Sequence, residues 1–136
     1  METYYVGQTA CTAKTITESD IYQFAGITGD MNPMHINAQY AEASRFGGRI
    51  AHGMLSAGLI SAVLGMQLPG PGSIYLGQQL KFLAPVYPGD TVTARVTITD
   101  IDREKNRAVL DTECINQKGV KVIAGQATML LPPQAE

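Results

Sequence analysis

The sequence predicts an α+β domain in which one antiparallel β-sheet wraps around a long central helix. Three observations support this fold class. Residues 51–66 form an uncharged, apolar run of helical length, a Pro- and Gly-rich break follows at residues 68–72, and beyond it the hydrophobic period changes from helical to strand-like. The resulting order of one strand, several helices and then four strands fits one sheet packed on one helix.

Size and charge limit what the chain is expected to bind. Its 136 residues fit one domain, residues 1–136, that can bury a core of its own. The net charge is −2 and the ten lysines and arginines are scattered, so the sequence has no basic patch for nucleic acid or anionic membranes. Partners are therefore expected to be small molecules or copies of the same chain. A sheet with so few strands must protect its edges, which favours a homodimer.

The first half of the chain is predicted to carry one strand and several helices. Residues 4–16 are rich in Tyr, Val, Thr and Ile, as strands are. Residues 17–20 match a capping box followed by an apolar stripe, so a helix of about ten residues should end near Gly26 to Gly29. Residues 30–35 are expected to be a polar loop, because Pro33 disfavours helical backbone at the residue before it.

A second, short helix is expected after this loop, capped by Asn37 and reaching Ala43, with irregular structure at residues 45–49. The uncharged run at residues 51–66 follows. Because it is apolar on every helical face, it is predicted to be buried all round. It is too short for a bilayer, which needs about 20 apolar residues.

The second half is predicted to be all strand. Residues 91–99 alternate between apolar and polar side chains, with Val92, Ala94, Val96 and Ile98 on one face, as a half-buried strand does. A strand at residues 75–83 precedes it, and polar turns are expected at residues 102–106 and 116–119. The last three strands should therefore form an antiparallel meander.

The two cysteines, Cys11 and Cys114, have no metal or redox spacing and are predicted to be buried, unreactive thiols in a reducing compartment. The first residues lack a basic segment followed by an apolar stretch, so no signal peptide is expected. The cytoplasm is the predicted location.

Asp30 and His35 are the first candidates for chemistry. They lie five residues apart around Asn32 and Pro33, on a turn that can bring both side chains to one place. Histidine exchanges protons near neutral pH, so the pair could hold and activate one water molecule. The alternative is that Asp30 caps a turn and His35 is a half-buried side chain bonded to the backbone.

Gly53, with His52 before it, is the second candidate. The first N–H groups of a helix have no intrahelical partner, so a glycine there lets a ligand oxygen approach a backbone donor. Alternatively, Gly53 only relieves crowding where the helix meets the sheet. Asp30, His35 and His52 could also be drawn as a metal site, which we disfavour because no further ligand stands at suitable spacing. Ser61 either bonds the carbonyl of Ala57 or orients a catalytic group.

Three motifs, in this order, resemble the (R)-specific enoyl-CoA hydratases, which are MaoC-like hydratases with the hot-dog fold. The motifs are residues 29–35 (Gly-Asp-Met-Asn-Pro-Met-His), residues 50–55 (Ile-Ala-His-Gly-Met-Leu) and residues 68–78 (Leu-Pro-Gly-Pro-Gly-Ser-Ile-Tyr-Leu-Gly-Gln). The resemblance extends from about residue 7 to residue 132. This family includes the enzyme that links fatty-acid oxidation to polyhydroxyalkanoate synthesis.

The resemblance implies a homodimer that adds water reversibly, with syn geometry, to a trans-2-enoyl-CoA and forms the (R)-3-hydroxyacyl-CoA. It implies Asp30 and His35 as the catalytic pair, Gly53 as the backbone donor to the thioester oxygen, and Ser61 as a supporting residue. Asn32 and His52 stand in the same motifs and are taken as supporting residues. Coenzyme A is then part of the substrate, and neither a metal nor another cofactor is expected.

The chemistry of hydration agrees with these roles. It needs a base for the water, a proton for the α-carbon, and a donor to the oxygen that becomes enolate-like, and which of Asp30 and His35 takes the proton stays open. One alternative is an acyl-CoA thioesterase, although such enzymes often carry an acidic residue on the central helix and residues 51–66 have none. A non-catalytic acyl-CoA-binding module is the other, and it leaves the Asp30/His35 pair unexplained.

Overall fold

A computed structural model describes residues 3–133, which form five strands and four helices in the predicted order. The elements are β1 (Thr9–Thr15), α1 (Glu18–Thr28), α2 (Pro33–Ile36), α3 (Ala38–Glu42), α4 (Gly53–Met66), β2 (Ile74–Phe82), β3 (Thr91–Asp102), β4 (Arg107–Ile115) and β5 (Lys121–Leu130). The strands form one antiparallel sheet in the order β1-β3-β4-β5-β2. The predicted α+β class and the meander of the last three strands are confirmed.

The core lies between the sheet and α4. The alternation predicted along β3 is confirmed, because Val92, Ala94, Val96 and Ile98 are each at most 1% exposed. The helix α4 contacts all five strands, so the sheet wraps around it. Burial of these side chains and of the inner face of α4 supplies the main stabilisation of the domain.

Side-chain caps determine where the first helices begin. The predicted capping box of α1 is present: the Asp20 N–H donates to Thr17 Oγ1 over 3.1 Å, and the Thr17 N–H donates to Asp20 Oδ2 over 2.9 Å. Asn37 caps α3 as predicted, since its side-chain oxygen accepts from the N–H of Tyr40. Local sequence patterns were sufficient here because each cap involves residues within one turn.

The prediction of a loop at residues 30–35 is wrong in part, because α2 begins inside it. Asn32 has a non-helical backbone, with ψ 127°, and caps α2 by accepting from the N–H of Met34 over 3.0 Å. Pro33 occupies the first helical position, where no N–H is required. The proline therefore restricts the residue before the helix and permits the turn that carries His35.

The helix α4 is buried on one face only, which corrects the prediction that it is buried all round. Its buried residues are Ser56, Ala57, Ile60, Val63 and Leu64. Residues on the opposite face are exposed in the single chain and none is charged: Met54, Gly58, Ser61, Ala62, Gly65 and Met66. Composition could not separate these faces because both are apolar. No helix within residues 3–133 is long and apolar enough to cross a membrane.

The two cysteines have different environments. Cys114 is buried, as predicted, and burial, with a smaller contribution from Glu113, raises the pKa of its thiol to about 12. Cys11 is exposed, so the prediction of a buried thiol is wrong for this residue. It lies on the edge strand β1, where outward side chains are not covered by a neighbouring element.

We expect a disulfide-exchange reagent such as DTNB to modify one thiol per chain rapidly at neutral pH. Cys11 should react because it is exposed, whereas Cys114 is covered and fully protonated at that pH. Cys11→Ser should abolish the fast reaction, and both cysteines of the wild type should react in denaturant. Rapid modification of folded Cys11→Ser protein would contradict this assignment.

Candidate active site

The fold brings Asp30, His35 and His52 together at the start of α4. The chain leaves α1 through Gly29, which adopts the left-handed conformation with φ 80°, and Asp30 and α2 then lie against the residues preceding α4. One carboxylate oxygen of Asp30 and one ring nitrogen of each histidine lie within 4.8 Å of one another. Residues separated by up to 22 positions in sequence thus form one polar cluster.

The hydrogen bond of His35 identifies its tautomer. Nδ1 lies 2.7 Å from the carbonyl oxygen of Ile50. A carbonyl oxygen can only accept, so Nδ1 carries the hydrogen, and Nε2 of the neutral ring keeps a lone pair. The backbone contact expected of a merely structural histidine is present, yet it also orients the ring and leaves Nε2 able to accept a proton.

His52 is a buried residue with one bonded and one unbonded nitrogen. Its Nε2 donates to the backbone carbonyl oxygen of Asp30 over 3.0 Å. Its ring stacks on that of His35, with 3.8 Å between centroids and 28° between planes. On the other contact, the centroid of the Phe24 ring lies 4.8 Å from that of His52. Among residues 3–133 no group bonds Nδ1 of His52. A buried acceptor without a partner costs about 1–3 kcal/mol, so this arrangement requires an explanation.

Asp30 combines a turn-forming role with an accessible carboxylate. Its Oδ1 accepts from the N–H of Asn32 over 3.3 Å, and its own N–H donates to Thr28 Oγ1 over 3.1 Å. The side chain is nevertheless exposed. The expected Asx-type turn therefore exists and leaves the carboxylate free to meet a ligand, so the two interpretations of Asp30 are compatible.

The first turn of α4 is open to a ligand. The side chains of Thr17, Asn32 and Asn37 cap the other helices, whereas His52 makes no side-chain capping bond to α4. The N–H of Gly53 is one of the donors left at this end. A Cβ atom at Gly53 would lie 2.5 Å from two ring carbons of Phe82. The glycine thus also relieves crowding, as the alternative interpretation held.

Two cavities meet at this cluster. One, of about 440 Å³, has mostly apolar walls from α4 and from residues 82–86 and includes His35, Gly53 and Arg45. The other, of about 350 Å³, includes Asp30, Phe24 and Thr28. Sequence reasoning missed Phe24, Phe82 and Arg45 as site residues. Only Phe24 had a signal, its place in the apolar stripe of α1, because the other two meet the site through tertiary packing.

Ser61 lies apart from this cluster in the single chain. It lines a third cavity, of about 590 Å³, between α4 and β2, together with Gly58, Tyr75 and Gln78. Ser61 is exposed in the single chain and is not among the buried residues of α4. Burial raises the pKa of the Tyr75 phenol, which donates to Gln78. A supporting role for Ser61 stays a prediction.

The geometry of the two histidines does not favour a shared metal ion. The rings are stacked, with 3.8 Å between centroids and 28° between planes, so their in-plane lone pairs do not converge. Two imidazoles that bind one ion direct their lone pairs at a common centre about 2 Å away. The cluster is better arranged to bind water or a polar substrate group.

Comparison with known proteins agrees with the three motifs. The family described as "MaoC like domain" matches residues 6–118. The chain is 58% identical to an (R)-specific enoyl-CoA hydratase of Rhodospirillum rubrum over 126 residues, 93% of this chain and 87% of the relative. It is 46% identical to a 3-hydroxybutyryl-CoA dehydratase of Methylorubrum extorquens, over 96% of this chain and 83% of that protein.

A solved structure extends this similarity to the fold. An (R)-hydratase from A. caviae, described as involved in PHA biosynthesis, matches with a TM-score of 0.94 and 42% identity, covering 97% of this chain and 100% of that chain. The chain therefore belongs to the MaoC-like family, in the group of the (R)-specific enoyl-CoA hydratases, and has their hot-dog fold.

Proposed function

We propose that this chain catalyses the reversible syn hydration of trans-2-enoyl-CoA to (R)-3-hydroxyacyl-CoA. The observation that carries the proposal is the position of the Asp30 carboxylate and the His35 imidazole beside the uncapped first turn of α4. This arrangement combines two groups that exchange protons with a backbone donor for the oxygen of a thioester. The names of the relatives support the same substrate class.

A water molecule between Asp30 and His35 can donate one hydrogen to the carboxylate and the other to Nε2 of His35. As one of these groups removes a proton, the water oxygen bonds to the β-carbon of the enoyl group, and the π electrons move to the thioester oxygen. The N–H of Gly53 stabilises the resulting enolate oxygen. The proton then passes to the α-carbon on the same face, and the carbonyl re-forms.

These groups are sufficient for the reaction without a metal or redox cofactor. A positioned acid or base typically contributes about 10²–10⁴-fold, and one oxyanion donor about 2.7–4 kcal/mol of transition-state stabilisation. Coenzyme A enters only as part of the substrate. Activity should accordingly survive dialysis against EDTA.

The test is steady-state hydration of crotonyl-CoA and longer trans-2-enoyl-CoAs, with chiral analysis of the product. We expect the (R)-3-hydroxyacyl-CoA and no release of free coenzyme A thiol. Thiol release from saturated acyl-CoAs without hydration would favour a thioesterase instead. Binding without turnover would favour a non-catalytic module. The two free cysteines agree with a reducing compartment, and we place the activity in the cytoplasm.

We also propose that the chain forms a homodimer through the exposed face of α4 and the neighbouring part of β2. Gly58, Ala62 and Gly65 are small, so a second helix can approach closely. On β2, Ile74 is 55% exposed and Leu76 is 45% exposed, which makes this surface apolar beyond the helix itself. β2 is also an edge strand with unpaired backbone groups, which a second copy can cover.

Ala62→Glu should convert the dimer to a monomer, because it places a charge in the middle of this apolar face. Size-exclusion chromatography with light scattering at micromolar concentration measures the change. Gln39→Glu, which adds the same charge on exposed α3, is the control and should remain dimeric. A monomeric wild type at this concentration would exclude the proposed interface.

A further inference from the structure

His52 connects the two groups that we assign to proton transfer. Its Nε2–H reaches the backbone carbonyl of Asp30, and its ring face supports His35 at 3.8 Å. In its other side-chain-mediated hydrogen bonds, Asp30 donates to Thr28 and accepts from Asn32, each only two residues away. His52 is therefore the contact that holds Asp30 to a distant part of the described chain.

The ring nitrogens of His52 are not available to react with a substrate. The side chain is 3% exposed, and Nδ1 is buried and bonded to no group within residues 3–133. Nε2 is committed to the carbonyl of Asp30. His52 lines both cavities, but its Nδ1 is buried and its Nε2 donates to a backbone carbonyl, so neither nitrogen presents a free surface to a substrate there.

The contacts of His52 with Asp30 and with His35 together explain why a histidine stands at this position. A position before a helix usually carries a side chain that caps it, and His52 does not. Phenylalanine could stack on His35 without burying an unbonded nitrogen, but it could not bond Asp30. Asparagine or serine could cap α4, but neither presents a ring to His35. Histidine provides an N–H donor and a flat face from one buried position, and tryptophan, the other side chain with a ring N–H, is much larger.

We propose that His52 is a positioning residue that holds the Asp30 carboxylate and the His35 ring in register for one water molecule. This inference rests on the proposed hydration. Because small displacements of reacting groups are costly in rate, loss of the bond to Asp30 should lower kcat and leave substrate binding nearly unchanged.

Two variants separate the contacts. His52→Phe keeps the stack and removes both the donor and the unbonded nitrogen, so we expect an unchanged or higher Tm with a kcat for crotonyl-CoA hydration lower by about 10²-fold and little change in KM. His52→Gln restores an N–H donor at similar reach and should recover at least about tenfold in kcat over His52→Phe. Thr17→Ala, which removes the cap of α1, is the control and should lower Tm without changing kcat.

The proposal is overturned if His52→Phe retains kcat, or if its kcat and Tm fall together and His52→Gln recovers neither. An inactive wild type would instead refute the hydratase function. In that case a crystal structure of His52→Phe tests the positioning role independently of activity. A displaced Asp30 supports the positioning role, and an unmoved Asp30 refutes it.

Discussion

Replacing Asp30 with asparagine or His35 with asparagine lowers kcat for crotonyl-CoA hydration by about 10²–10⁴-fold and leaves the fold intact. Asparagine at position 30 keeps an oxygen for the N–H of Asn32, and asparagine at position 35 keeps a donor for the carbonyl of Ile50. Neither variant exchanges protons. Steady-state kinetics, with circular dichroism and Tm to verify folding, measures both effects.

The double variant provides a sharper form of this test. If Asp30 and His35 act on one water molecule, removal of the second group should cost much less than removal of the first. Asp102→Asn is a matched control, because Asp102 accepts from Lys105 in the turn between β3 and β4, away from the cluster. Near wild-type activity in either single variant would refute the proposed roles.

Gly53→Ala should lower kcat/KM for the same substrate by about 10²-fold, the range expected when an oxyanion donor is displaced. The added methyl group would overlap the ring of Phe82 at 2.5 Å. Phe82 is 53% exposed, so its ring can move at a stability cost of about 1 kcal/mol, but either the ring enters the cavity or the first turn of α4 shifts. Steady-state kinetics measures the loss of activity, and thermal unfolding measures the loss of stability.

Phe82→Leu tests this steric explanation in combination with Gly53→Ala. A smaller side chain at position 82 leaves room for the methyl group, so the double variant should regain Tm and part of the activity lost by Gly53→Ala. Gly26→Ala is the control, because a Cβ there meets no atom within 4 Å and alanine favours helix α1. A Gly53→Ala enzyme with unchanged kcat/KM would show that the N–H of Gly53 does not contribute.

Local patterns predicted the parts of the fold that depend on near neighbours. The cap of α1 and the alternation along β3 both involve residues a few positions apart, so sequence spacing determines them. Pro33 was misjudged for a local reason: a proline that breaks a helix interior also starts a helix well. The uncharged composition of α4 indicated burial correctly for one face only, because the exposed face is equally free of charge.

The motifs predicted that Asp30 and His35 lie close together, but not how their side chains are arranged, nor that Ser61 lies apart from them. Spacing placed Asp30 near His35, but the stack of His35 on His52 joins residues from α2 and from the start of α4. The tautomer of His35 depends on the carbonyl of Ile50, and the crowding at Gly53 depends on Phe82. These are consequences of tertiary packing, which no single motif contains.

The uncapped start of α4 has a consequence for the motion of the free protein. Helix ends without a bonded partner fray, and local opening lowers the protection of their amide hydrogens from exchange with solvent. A thioester oxygen bound at Gly53 would complete the hydrogen bonding of that end. Bound ligand should therefore slow hydrogen exchange at Gly53 and Met54, whereas the N–H of Leu55 already donates to the carbonyl of His52. The first turn of the central helix would then be well ordered only while substrate or product is bound.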